Sequence, residues 1–299
     1  MFAEILALFE LYPITFYTTT LILGLVVGSF LNVVIYRLPK MLHNEWLCDC
    51  RELLADELAK TSNKASSKAK IESITLSKPA STCPKCGHKI KAIENIPLLS
   101  WLFLKGKCSA CKTPISIRYP LVELASGILS VVIGLHFGVT WLTLWMLILT
   151  WSLVALTMID FDQMILPDQI TLPLVWLGLL INLNSGFVSL NEAVIGAVVG
   201  YMSLWSIFWL FKLLTGKEGM GYGDFKLFAV FGAWFGWQLL PLLILMASLV
   251  GAIIGIAMMV FNNHQGSKPI PFGPYLAIAG WITALWGNGM WNWYLNLVL

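Results

Sequence analysis

The chain has 299 residues, of which 58% are hydrophobic and 12% charged, with a formal net charge of +3 and a mean hydropathy of +0.78. Soluble domains are about 45–50% apolar and about 25% charged, so these values exclude a soluble globular protein and indicate an integral membrane one. The lipid bilayer is then the first partner, and no nucleic-acid partner is expected.

Apolar runs near 20 residues mark membrane helices. They fall at 17–36, 120–137, 139–159, 169–184, 190–211, 225–237, 239–261 and 275–297, which predicts an all-α polytopic protein with about eight transmembrane helices. Residues 1–16 hold Glu4 and Glu10 but no Lys or Arg, unlike the basic opening of a signal peptide, so the first helix is expected to be retained. Residues 37–118 carry 15 of the 19 Lys and Arg; the other four are Lys212, Lys217, Lys226 and Lys268. With eight crossings all 19 lie on one side, which the positive-inside rule makes cytoplasmic, with both termini on the far side.

In the first predicted helix, Gly24 and Gly28 form a small-xxx-small packing face. Asn32 suits an interhelical hydrogen bond or a substrate contact. Arg37 and Pro39 read as an interfacial anchor and a helix stop. Beyond them, apolar spacing over 49–60 predicts a short surface helix, and the Ser, Lys, Ala and Thr of 61–82 a flexible insert.

Cys83-Pro-Lys-Cys86 and Cys108-Ser-Ala-Cys111 are two C-x-x-C knuckles with Cys86 and Cys108 22 positions apart. Each knuckle offers two sulfurs to a tetrahedral ion, so Cys83, Cys86, Cys108 and Cys111 are the predicted ligands of a structural zinc. A redox pair or unmetallated thiols are the alternatives, and a reducing compartment disfavours disulfides. Four thiolates fill the shell, which leaves His88 as a surface residue. Cys48 and Cys50 have no partner pair. The apolar stretch between the knuckles, around Trp101, either packs on this module or lies on the membrane. Glu123 follows at the predicted first turn of helix two, either placed for the helix dipole or a site carboxylate.

Later pairs Gly196/Gly200, Gly232/Gly236 and Gly251/Gly255 read as tight helix packing. Gly219-Met-Gly221-Tyr-Gly223-Asp224 precedes a predicted helix of only about 13 residues, too short to span, so the turn is expected to dip below the interface and line a wet cavity. A carboxylate inside a bilayer costs about 2.5–3.5 kcal/mol, so Asp224 should have a task. The glycines of this turn clear side chains from its approach. Two predicted helices separate Asp160 from Asp224, and that even number returns the chain to the same face. Two carboxylates in reach of each other share a proton, which supplies general base and general acid in one pair. Asp162 competes with Asp160 for the role, whereas Asp168 after Pro167 suits a helix cap. A transporter or membrane scaffold with a cytoplasmic zinc module is the rival reading, but the acids cluster near one face and no repeat is visible.

Taken together, Gly28 to Pro39, the two knuckles, Ile115 to Glu123, Asp160 to Asp168, Gly221-Tyr-Gly223-Asp224 and Pro271 to Tyr275 resemble the bacterial type IV prepilin leader peptidases that are also N-methyltransferases. The resemblance implies an intramembrane aspartyl peptidase of the Gly-x-Gly-Asp type, with Asp160 and Asp224 as its pair; on physical grounds Gly221 and Gly223 are expected to let the scissile segment lie extended against the enzyme backbone. It further implies cleavage of a basic leader from prepilins and type II secretion pseudopilins, then methylation of the new amino terminus with S-adenosylmethionine. Gly106 and Lys107 match a segment associated with methyl transfer. Residues 1–37 would be the N-terminal segment and first helix, 38–118 the cytoplasmic zinc loop linked to methyl transfer, and 119–299 the peptidase. The resemblance also places the protein in the bacterial inner membrane.

Overall fold

The computed structural model describes residues 2–61, 74–262 and 270–298. Among these the chain forms ten α-helices and one 3-10 turn, with two isolated β-bridges and no strand. By length and composition five helical stretches can cross a membrane: Pro13–Leu54, Arg118–Phe137, Trp141–Gln163, Leu190–Thr215 and Leu240–Ala257. The contacts divide the chain into two compact units, Thr18–Val131 and Met1–Tyr17 with Val132–Leu299.

In the first unit the predicted stop at Pro39 is absent. Helix α2, Pro13–Thr61, runs 49 residues through that proline and absorbs the separate surface helix expected at 49–60. At 1.5 Å per residue it is about 74 Å long, more than twice the hydrocarbon thickness. A proline removes one backbone donor and bends a helix without having to end it when neighbours support the turn. Arg37 supplies such support. It is buried, donating from Nη1 to the Thr75 and Leu76 carbonyls at 3.0 and 3.3 Å and from Nη2 to Pro79 O at 2.7 Å. The expected flexible insert lies partly outside the described residues, at 62–73.

Helix α4, Arg118–Phe137, packs antiparallel on α2. Gly24 meets Ser130, Gly28 meets Glu123 and Ser126, and the Asn32 amide donates to Tyr119 O at 3.1 Å. The glycine pair is therefore a packing face and Asn32 an interhelical hydrogen bond.

The second unit is built around a short helix. α8, Tyr222–Phe235, has 14 residues, about 21 Å, and nearly every residue after Gly223 is buried. Its neighbours are α6 (Asp168–Asn182), α7 (Leu190–Thr215), α9 (Leu240–Asn262) and α10 (Gly273–Val298). A helix apolar on every face is a core helix, and these neighbours take the place of lipid. Glycines allow the approach. Gly196 of α7 and Gly232 of α8 are so close that a Cβ on either would strike the other's backbone, and a Cβ on Gly200 would lie 2.9 Å from Phe228 O. Gly178 admits Trp234 and Gly280 admits Phe231. The other expected pairs differ: Gly236 ends α8 at φ 78, and a Cβ on Gly255 would reach only Ile270, at 3.8 Å.

At the C-terminal end of α8, Asn182 is fully buried and completely paired. Its amide nitrogen donates to Ala233 O and Trp234 O at 2.9 and 3.0 Å, and its oxygen accepts from Phe187 and Val188 N–H at 2.8 and 3.1 Å. Orphan carbonyls at a helix end need such partners. This clamp fixes α8 along its axis, and hence the level of Asp224 at the other end.

Candidate active site and metal centre

Asp160 stands in the last turn of α5, Trp141–Gln163, just before Met164 turns the chain at φ 54. Asp224 is the third residue of α8 and closes its first turn, Oδ2 accepting the Gly221 N–H at 3.2 Å. The two are 5% and 6% exposed. Asp160 Oδ2 accepts the Gly273 N–H at 3.1 Å, from the residue that opens α10. Leu166 ties the two neighbourhoods together: a Cβ on Gly223 would lie 2.7 Å from Leu166 Cβ, and one on Gly273 3.2 Å from Leu166 Cδ1. Two buried carboxylates, each held by one backbone N–H on one oxygen, thus share one end of the unit, as the even number of intervening helices requires.

The competing acids separate cleanly. Asp162 is exposed. Asp168 does not cap α6: Pro167 holds the cap position and the Asp168 carboxylate pairs with Lys226 Nζ at 2.6 and 2.7 Å. The glycines of the turn have unequal reasons. Gly223 is filled by Leu166 and Gly219 lies against Phe211, whereas a Cβ on Gly221 would meet only Asp224 Oδ2, at 3.6 Å. Gly221 is therefore the open position. Gly273 and Leu166 escape sequence reasoning because one acts through its backbone N–H and the other through shape; the only signal is a glycine between two prolines at 271–274.

The four cysteines converge. The Sγ atoms of Cys83, Cys86, Cys108 and Cys111 lie within 4.8 Å of one another, with Cys83 and Cys111 at 3.8 Å. Four thiolates about 2.3 Å from one tetrahedral ion stand about 3.8 Å apart, so the cluster fits a metal of that kind. The knuckles fold alike. Gly87 N–H donates to Cys83 O and Lys112 N–H to Cys108 O, and Gly87 and Lys112, each directly after a second cysteine, take φ 70 and 59. Cys111 is pulled down to about 6 by the Thr113 hydroxyl and backbone. Cys86 feels a lowering His88 N–H, but the thiols of Cys111, Cys83 and Cys108 with burial outweigh it and push it up to about 11. Such a quartet cannot shed every proton unless a cation balances it. His88 is outside the cluster and faces Glu94 at 3.3 Å. Cys48 and Cys50 are exposed on α2.

Gly106 sits at φ 65 before the second knuckle, and a Cβ there would be 2.9 Å from Trp101 Cζ2. Its neighbour Lys107 bridges to Pro114. The Trp101 cluster thus packs on the cysteine module, while Ile93, Leu102 and Phe103 beside it stay exposed. Glu123 is not in the first turn of α4 but in the second, buried, with its Oε2 accepting the Leu98 N–H at 2.9 Å.

Residues 22–137 match the family described as Bacterial Peptidase A24 N-terminal domain, and residues 147–256 match the Type IV leader peptidase family. The second span holds both Asp160 and Asp224. A protein of Aeromonas salmonicida named Prepilin leader peptidase/N-methyltransferase is 55% identical over 287 residues, 96% of each chain. Proteins of that name from Aeromonas hydrophila and Pseudomonas aeruginosa are 56% and 55% identical over 95% of each chain. The chain belongs to the type IV leader peptidase family. The matched spans cover both units, the first including the four cysteines and the second the two aspartates. No solved structure matches the chain.

Proposed function

We propose that the chain is an intramembrane aspartyl peptidase that removes the basic leader of type IV prepilins and type II secretion pseudopilins, then methylates the new amino terminus. The observation that carries this reading is the pair of buried carboxylates, Asp160 and Asp224, at one end of a buried helix in a chain of this family. One carboxylate, ionised, takes a proton from an attacking water; the other, protonated, donates to the scissile carbonyl oxygen. The Gly273 and Gly221 N–H groups orient the two side chains from behind. The scissile segment passes against the backbone of Gly221 and Gly223, with the open face of Gly221 giving it room.

Eight crossings, with α6, α8 and α10 completing the five apolar spans, put the basic loops in the cytoplasm and both termini in the periplasm of a bacterial inner membrane. A prepilin has a positive leader and an apolar helix, so its scissile bond reaches the interface on that same side. Residues 38–118 are the methyl-transfer region, Gly106 and Lys107 its site residues, and 119–299 the peptidase. Cys83, Cys86, Cys108 and Cys111 would hold a zinc ion, which when bound fixes the two knuckles relative to each other. S-adenosylmethionine supplies the methyl group; this chain's part is to present the new amine, unprotonated, to that donor.

Mass spectrometry of a pilin co-expressed with the chain tests the reading in one measurement. A mature pilin lacking its leader and carrying one added N-terminal methyl group is expected. Recovery of the intact precursor would overturn the peptidase assignment, and a cleaved but unmethylated pilin the transferase assignment.

A further inference from the structure

Glu123 belongs to neither the aspartate pair nor the cysteine cluster, yet it is a carboxylate only 9% exposed in a membrane helix. An acid so placed is expensive and usually has work to do. Among the described residues no cation forms an ion pair with it; its partners are the Leu98 N–H and the Ser29 hydroxyl. It has little freedom, because α2 presses on α4 at this level: a Cβ on Gly28 would stand 2.8 Å from Glu123 Cα.

Leu98, the residue it holds, has φ 58 and ψ −48. Sterics disfavour positive φ for a residue with a Cβ, so this conformation persists only where the surroundings impose it. Leu98 is also the N-cap of α3, Leu99–Phe103, and has no side-chain cap to offer. From there to Gly106 the chain is a single stapled turn. Ser100 Oγ accepts from Ile96 N–H at 3.0 Å and donates to Ile93 O at 2.5 Å. The Trp101 carbonyl accepts from Gly106 N–H at 2.8 Å, the Trp101 ring covers Gly106, and its indole N–H donates to Ile115 O at 3.4 Å. Ile115 N–H returns to Gly106 O at 2.7 Å. Lys105 and Gly106, both at positive φ, make the bend. A shift at Leu98 therefore moves Trp101, and Trp101 sets the backbone of Gly106 and Lys107.

We propose that Glu123 is a positioning residue for methyl transfer, its carboxylate holding the Leu98 N–H so that α3 seats Trp101 on Gly106 and fixes the Gly106–Lys107 turn. This rests on the assignment of methyl transfer to that turn. The experiment compares Glu123→Gln and Glu123→Leu in full-length protein, reading leader cleavage, N-methylation of the same pilin, and amide hydrogen exchange over residues 96–107. Glutamine keeps an oxygen that can accept from Leu98; leucine does not. Since displacement of a reacting group by an ångström costs about a hundredfold, Glu123→Leu is expected to lower methylation at least about tenfold while cleavage stays within about twofold. It should also speed exchange at 96–107, and Glu123→Gln should restore both readouts.

Glu123→Leu that methylates and exchanges like the wild type overturns the proposal. So does an equal loss of cleavage and methylation, which would mean that Glu123 holds the whole fold, and so does a glutamine variant as impaired as leucine. If the wild-type protein cleaves without methylating, the methyl-transfer assignment falls, and the exchange comparison alone decides whether Glu123 fixes the turn.

Discussion

Replacing Gly273 with alanine perturbs the aspartate pair through one added methyl group. A Cβ at 273 would lie 2.6 Å from Asp160 Oδ2, 3.2 Å from Asp160 Cγ and 3.2 Å from Leu166 Cδ1. The first contact is closer than real Cβ atoms tolerate, and neither Asp160, 5% exposed, nor Leu166, 7% exposed, has free space to retreat into. Either the Asp160 carboxylate turns away or the start of α10 backs off and stretches the 3.1 Å Gly273 hydrogen bond. Relief needs a movement of more than half an ångström, and misplacement near 1 Å at a reacting centre costs about a hundredfold, or about 2.7 kcal/mol of transition-state stabilisation. The assay is leader removal from a prepilin in membranes, as kcat/KM. Gly255→Ala is the matched control, because its Cβ would meet only Ile270 Cδ1, at an ordinary 3.8 Å and away from the aspartates, and should lose less than about threefold. Gly273→Ala that cleaves within about twofold of wild type would refute the close placement of Gly273 on Asp160.

Three further outcomes follow from other parts of the structure. Asn182→Leu strands two carbonyls and two N–H groups at about 1–3 kcal/mol each, so stability in detergent should fall by at least about 3 kcal/mol; a change under about 1 kcal/mol would contradict the clamp. Full-length protein should carry about one zinc per chain by elemental analysis, and Cys108→Ser should release it and lower methylation before cleavage; a metal-free, fully active wild type would contradict the centre. Asp168→Asn breaks a pair whose side chains are half-exposed and a quarter-exposed, so cleavage should change by less than about fivefold, equivalent to about 1 kcal/mol; a loss of a hundredfold would give Asp168 a role beyond pairing with Lys226.

Much of the site was readable because its chemistry is written in residue types. The cysteine spacing announces its own geometry, and the even number of helices between Asp160 and Asp224 puts both at one end. What escaped shares a different character. The donor to Asp160 is a backbone N–H 113 positions away, which any residue could supply. Glu123 looked like a helix-end charge because its partner is the backbone of Leu98, 25 positions earlier. Pro39 looked like a stop because its local effect is to break helices, but Arg37 brings the distant Thr75–Pro79 turn against the same stretch of α2. The glycines of the 219–223 turn read alike, and only packing distinguishes Gly223, filled by Leu166, from the open Gly221. Local chemistry and periodicity are legible in sequence; backbone partners and close approaches between distant segments are not.

The central claim is that Asp160 and Asp224 act as one catalytic pair. It is tested most directly by single Asp160→Asn and Asp224→Asn substitutions beside Asp162→Asn, with leader removal from a prepilin measured in membranes at matched protein levels. Asparagine keeps the volume and an oxygen for the Gly273 or Gly221 N–H but cannot exchange the proton. The expected result is no detectable cleavage by either of the first two and near wild-type cleavage by Asp162→Asn. Full cleavage by Asp160→Asn or by Asp224→Asn would contradict the pair.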